Sequence, residues 1–198
     1  MKPAARRTSV TESGDESALV LAAQRGDEAA FGEIVRRFQR SVYRVAYGLM
    51  RNPSDADDLA QETFLRAYQA IERFRVGEPL QPWLSRITIN LAYSIFRRRR
   101  RRPEAPLEPL LEAGRQWASD DDPAEESARR ERERHLGASF AEISEEHQAI
   151  LVLRVVDELS YDEIAQALSI PIGTVMSRLS RARAELKARM RARTGEKP

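Results

Sequence analysis

Residues 103–126, PEAPLEPLLEAGRQWASDDDPAEE, carry four prolines and eight carboxylates against a single arginine, Arg115. Proline breaks helical ladders and like charges push a chain apart, so this stretch reads as an extended linker that contributes nothing to a core. Any packed structure must be built separately on either side of it. Before it, from residue 18 to 102, apolar residues recur at helical spacing, interrupted by RNPSD (51–55) and VGEPLQP (76–82), which predicts three or four helices. After it, residues 128–192 form a second helical stretch. With no alternating strand pattern and no internal repeat, the expectation is an all-α chain. It has two small helical domains, 18–102 and 128–192, joined by a flexible acidic linker over 103–127, with a disordered polar tail over 1–17.

Several function classes drop out on composition. The chain has no cysteine, which removes disulfides and thiolate metal sites, and neither of its two histidines, His135 and His147, has a partner at metal-binding spacing. No nucleophile, general-base pair or phosphate-cradling glycine loop suggests an enzyme, and no cofactor is expected. No apolar run reaches the ~18 residues that a membrane span needs, and the N-terminus lacks the apolar stretch of a signal peptide. The expected home is the cytoplasm. Formal net charge is only +2, so the placement of charge says more than its sum.

The most informative placement is in SYDEIAQALSIPIGTVMSRLSRARAEL, residues 160–186. Ser160 and Glu163 stand at capping-box spacing, which predicts a helix start at Ser160, and SIP (169–171) ends that helix with a proline. A second helix should begin near Ile172. At 3.6 residues per turn it gathers Ile172, Val175, Met176, Leu179, Ala182 and Leu186 on one arc and Thr174, Ser177, Arg178 and Arg181 on the other. Two short helices joined tightly, the second with a small-polar and arginine face, make a helix-turn-helix. Hydroxyls can bond phosphates or bases, and arginine can bond guanine in a bidentate manner. The alternative for the arginines alone is a solvated basic face.

In the first half, DADDLAQETFLRAYQAIERF (55–74) places Leu59, Thr63, Ala67, Ala70, Ile71 and Phe74 on one side of a helix. Asp58, Gln61, Glu62, Leu65, Gln69 and Glu72 occupy the other, where a leucine among polar groups hints at a docking surface. PWLSRITINLAYSIFRRRRRR (82–102) then starts with Pro82 at a first helical position. Read as one continuous helix, it puts Trp83, Leu84, Ile87, Leu91 and Ile95 on the core side and Arg86, Asn90, Tyr93 and Arg97 along one edge. Arginine interleaved with asparagine and aromatic rings suits a nucleic-acid backbone with unstacked bases. Trp83 fits a core position as readily as a stacking one.

Taken with LVLAAQRGDEAAFGEIVRRF, these stretches resemble, in order, the extracytoplasmic-function sigma factors of bacterial RNA polymerase, over residues 18–102 and 136–190. The resemblance implies a non-enzymatic subunit that docks on polymerase core and directs promoter recognition, DNA melting and transcription initiation. It implies core binding through Asp58, Gln61, Glu62, Leu65 and Gln69. Capture of the melted minus-ten element falls to Trp83, Arg86, Asn90, Tyr93 and Arg97. Reading of the minus-thirty-five duplex falls to Thr174, Ser177, Arg178 and Arg181. It also implies promoter DNA and a cognate anti-sigma factor as partners, with no metal and no membrane insertion. The family commonly carries a loop near Asn90, against the continuous helix read from the periodicity. Ser169 stands where glycine is common, which bears on strain in the turn, and Met176 stands where a basic residue is common. The competing reading is an autonomous helix-turn-helix regulator that binds duplex operators as a dimer.

Overall fold

The computed structural model describes residues 10–101 and 123–195, with side chains from 15 and from 129 in the two stretches. The described residues form eight α-helices and one 3₁₀ turn, with no strand among them, as expected of an all-α chain. They divide into two compact units, residues 1–92 and 93–198.

The first unit holds α1 (Val10–Gln24), α2 (Glu28–Met50), α3 (Pro53–Ala70), the 3₁₀ turn Ile71–Arg73 and α4 (Leu80–Arg101), whose last residues fall in the second unit. Helix α1 starts at Val10, inside the stretch expected to be a disordered tail of 17 residues; residues 1–9 of that tail lie outside the described residues. The two sequence breaks are local stop-and-start signals. Arg51 closes α2 in the left-handed region with φ 56, and Asn52 caps α3 by accepting from the Asp55 amide at 3.1 Å, with Pro53 in the first turn. Further on, the Gln24 amide nitrogen donates to the carbonyls of Ile71 (2.9 Å) and Phe74 (2.8 Å), pinning the 3₁₀ turn to α1. Helix α4 begins at Leu80, two residues ahead of the expected Pro82, which its first turn tolerates because the amide there has no intrahelical partner.

The core of this unit gathers Val20, Ile34, Val42, Ala67, Ile71, Leu80 and Leu84. The buried stripe of α4 differs from the expected one. Leu84, Ser85, Thr88, Ile89 and Ala92 are buried, whereas Trp83, Ile87, Leu91 and Ile95 are only half-buried. The helix is turned so that Thr88 meets Thr63 of α3, their hydroxyl oxygens 3.3 Å apart and both fully buried. Thr63 also reaches the Leu59 carbonyl (2.8 Å) and Thr88 the Leu84 carbonyl (2.9 Å), so these polar groups are satisfied without water. Ala92 is the last buried residue of α4. Its arginine-rich end therefore leaves the first core, and the unit division falls there rather than in the linker.

The second unit contains α5 (Pro123–Glu142), α6 (Glu145–Val155), α7 (Tyr161–Leu168) and α8 (Ile172–Thr194). Helix α5 starts at Pro123, within the 103–127 expected as linker; residues 103–122 lie outside the described residues. Ser144 caps α6, and the buried Gln148 amide closes the end of α5 by donating to the carbonyls of Phe140 and Ile143, both at 3.0 Å. The capping box is present: Ser160 Oγ accepts from the Glu163 amide (3.3 Å) and Glu163 Oε2 accepts from the Ser160 amide (2.7 Å). Helix α7 ends in a Schellman closure, with Ile170 N–H donating to the Ala165 carbonyl (3.1 Å) and Ser169 N–H to that of Gln166 (3.2 Å). Ser169 sits at φ 54, the left-handed region where a Cβ is strained. Pro171 then precedes the first turn of α8.

Two outcomes follow for unfolding measurements. Ile89→Ala should cost about 2–5 kcal/mol in urea unfolding and Ile87→Ala clearly less, the reverse of what the sequence stripe predicts. Ser169→Gly should raise the melting temperature of the second unit, by relieving up to about 1 kcal/mol of left-handed strain net of the entropy glycine adds to the unfolded chain.

Candidate nucleic-acid interface

Three surfaces were expected to carry function. The first is the outward side of α3. Asp58, Gln61, Leu65 and Gln69 are exposed there, and Glu62 is half-exposed and bonds Arg66 one turn on at 2.7 Å. Leu65 is 58% exposed. Beside it Tyr68 is 48% exposed while its ring meets Phe31 edge-on, with centroids 5.0 Å apart. Tyr68 escaped the sequence reading because it lies at the border of the polar arc, where periodicity does not assign a side. Where α2 faces α3, Val35, Gln39, Arg40, Tyr43, Asp57, Ala60, Gln61 and Phe64 line an open groove of about 490 Å³. Tyr43 stacks on Tyr47, with centroids 6.1 Å apart, and burial followed by the Asp57 charge raises its phenol above the usual range.

The second surface is the outer edge of α4. The helix is continuous from Leu80 to Arg101, with no loop near Asn90, so the spacing of the edge residues is helical. Arg86, Asn90 and Arg97 are exposed on the side opposite Thr88. Two expected members differ. Trp83 packs on Phe74, with centroids 4.7 Å apart, among the half-buried residues around the core; its large ring covers apolar surface more effectively than it could reach outward. Tyr93 lies at the margin of the edge, and burial pushes its phenol up to about 12, so it stays protonated at any ordinary pH.

The third surface is α8. Val175, Leu179 and Ala182 are buried against the rest of the unit, and Ser177 and Arg181 are exposed. Thr174 is half-buried. Arg178 lies off the outward face: its side chain is 21% exposed and its guanidinium pairs with Glu146 of α6 at 3.0 Å. The reason is rotational, since Arg178 stands next to Val175 and Ala182 on the helix and so borders the core. Conversely, Ile172 and Met176, assigned to the core arc from the sequence, are 45% and 57% exposed. The buried arc of α8 is narrower than the apolar arc, because α5, α6 and α7 cover only part of the helix. The outward face accordingly runs through Met176, Ser177, Ser180 and Arg181. Its chemistry is small, polar and cationic with one soft apolar side chain, which suits the edges and methyl groups of bases in a major groove.

Among the described residues no cluster of three or more histidine, aspartate or glutamate side chains could hold a metal ion, and no helix is long and apolar enough to cross a membrane. The three surfaces differ in charge, one mixed acidic and apolar and two basic.

Comparison with known proteins accounts for both units. The family description Sigma-70 region 2 matches residues 34–102, and Sigma-70, region 4 matches residues 136–186. The chain is 31% identical to the ECF RNA polymerase sigma factor SigW of Bacillus subtilis over 175 residues, covering 85% of this chain and 92% of that protein. It is 36% identical to the ECF RNA polymerase sigma-E factor of Haemophilus influenzae, covering 85% and 91%. Among solved structures, CnrH in complex with the cytosolic domain of CnrY superposes with a TM-score of 0.66 at 25% identity, covering 90% of this chain and 98% of that one. The sigma factor RpoE of Bartonella quintana, solved with the anti-sigma factor NepR, shares the fold at a TM-score of 0.63 and 24% identity, covering 81% and 96%. An autonomous operator-binding regulator would leave the region 2 match unexplained. With both regions present in order and relatives matched over nearly their whole length, the chain belongs to the extracytoplasmic-function sigma factors, non-enzymatic proteins that bind RNA polymerase core and promoter DNA to direct transcription initiation.

Proposed function

We propose a division of that work among the three surfaces, acting in the cytoplasm, where the polymerase is. The outward side of α3, formed by Asp58, Gln61, Glu62, Leu65 and Gln69 with Tyr68 added, docks on core polymerase. The observation that carries this is the exposure of Leu65 and Tyr68 on an otherwise polar helix, since large apolar side chains gathered on a surface mark a protein interface. The outer edge of α4 holds the unpaired strand of the minus-ten element. Asn90 supplies an amide that can both donate and accept at a base edge, Arg86 and Arg97 neutralise phosphates, and Tyr93 stacks from the margin. Trp83 supports this edge from the core side. The outward face of α8 reads the minus-thirty-five duplex through Ser177 and Arg181, with Thr174 beside them, while Arg178 holds α8 to α6 through Glu146.

A cognate anti-sigma factor completes the reading. Two solved neighbours were captured with a protein partner, the cytosolic domain of CnrY and the anti-sigma factor NepR. The exposed apolar residues of α3 support a partner of the same kind here, one that would compete with core polymerase for them.

Replacing Glu62 with Lys together with Leu65→Asp should weaken binding to core polymerase by tenfold or more while far-ultraviolet circular dichroism stays unchanged. Unaltered core binding refutes the docking assignment. On α8, Arg181→Ala should reduce duplex binding without moving the melting temperature. Arg178→Ala should instead lower the stability of the second unit by about 1 kcal/mol, the discounted value of a partly exposed pair, and Glu146→Gln should reproduce it. On α4, Asn90→Ala should leave core assembly and closed duplex binding intact and reduce reactivity of melted promoter thymines to permanganate. Tyr93→Ala should show an opening defect of about 1–3 kcal/mol, the worth of one base–aromatic stack. Equal melting and unchanged base preference in the Asn90 variant would make that residue structural.

A further inference from the structure

Helix α8 is 23 residues long, roughly 35 Å, and runs eight residues past the end of the region 4 match at residue 186. A B-DNA major groove is only ~12 Å wide. A helix that enters such a groove by its N-terminal half therefore carries its C-terminal half out past the sugar-phosphate backbone.

That C-terminal half is divided by side. Arg189 and Arg193 turn toward α5 and both pair with its Glu142. The nearby Glu185 is engaged by His147 at 2.5 Å. Arg183, Lys187 and Arg191, spaced four apart, stand exposed on the other side, and no carboxylate among the described residues pairs with any of them. Like charges at this spacing destabilise a helix, so the arrangement works against the fold of the free chain. The ridge continues the side of the helix that carries Met176 and Ser180, next to Ser177 and Arg181 on the outward face.

We infer that Arg183, Lys187 and Arg191 form a second DNA surface that grips the phosphate backbone of the duplex flanking the element read by the N-terminal half of α8, independently of sequence. The inference rests on α8 being the duplex-reading helix. The ligand chemistry follows from the position: three extended cations carried beyond the groove, with no amide or aromatic side chain on the ridge and the Thr194 hydroxyl turned back to the Met190 carbonyl (3.2 Å), meet phosphates rather than base edges. Each phosphate neutralised releases condensed counterions, which makes the contact visible as salt dependence.

The test uses the full-length protein and two duplex probes, one of random sequence and one enriched from a random pool by the wild-type chain, with binding followed by fluorescence anisotropy between about 50 and 200 mM salt. Lys187→Gln combined with Arg191→Gln should reduce the slope of log K against log salt by nearly two on both probes, about 0.9 for each phosphate lost. The ratio of affinities for the two probes should not change. Arg189→Gln combined with Arg193→Gln removes the same net charge from the paired side and should change the slope clearly less. An unaltered slope in the Lys187 and Arg191 variant overturns the inference and leaves a solvated ridge. Loss of core polymerase binding with an unaltered DNA slope overturns it in favour of a protein contact. Should enrichment yield no preferred sequence, the duplex-reading role of α8 fails, while the slope on random duplex still judges the ridge.

Discussion

The contact between Thr63 and Thr88 sets the orientation of everything functional in the first unit. Two small hydroxyl side chains let α3 and α4 meet at a fully buried point, and because each hydroxyl also reaches a carbonyl of its own helix, the contact carries no unmet polar group. Fixing one point on a helix fixes its rotation. On α3 the residues opposite Thr63 are Gln61 and Leu65; on α4 those opposite Thr88 are Arg86, Asn90 and Arg97. One buried contact thus turns a mixed acidic and apolar face outward on one helix and an amide and guanidinium edge outward on the next.

In the second unit the rotation of α8 is set instead by its ends and its packing. The capping box at Ser160 starts α7, the left-handed Ser169 and Pro171 stop it and restart the chain, and α8 enters at a defined angle. Val175, Leu179 and Ala182 then lock the inward side. Arg178, one position from the core, is drawn into the pair with Glu146, while Arg181, less than a full turn further on, faces out. Two arginines three residues apart therefore have different jobs, one holding the domain together and the other available to DNA.

The same sorting recurs along α8. Arg189 and Arg193 neutralise Glu142, and Arg183, Lys187 and Arg191 do not meet an acid among the described residues. Charge alone does not separate these residues, since all five are cations on one helix. Which of them faces α5 is decided by packing.

Local signals were legible in the sequence because they act over a few residues. The breaks at 51–55 and 169–171, the capping box, the polar side of α3 and the helical character throughout all depend on propensities and spacings that the chain carries with it. The ends were less clear: α1 begins at Val10 and α5 at Pro123, each extending into a stretch whose composition alone argued against structure. The rotation of α4 was not legible, because an apolar stripe does not assign a polar residue such as Thr88 to the core, and its burial depends on Thr63 and the Leu84 carbonyl. Nor was the outward turn of Ile172 and Met176 or the inward turn of Arg178, since periodicity assigns an apolar arc but not how much of it neighbouring helices will cover. The sequence by itself determined which segments are helical, where they stop and that there are two helical units. Only the tertiary structure decided which degree of rotation each helix adopts, because that is a property of the surfaces that meet and not of either helix alone.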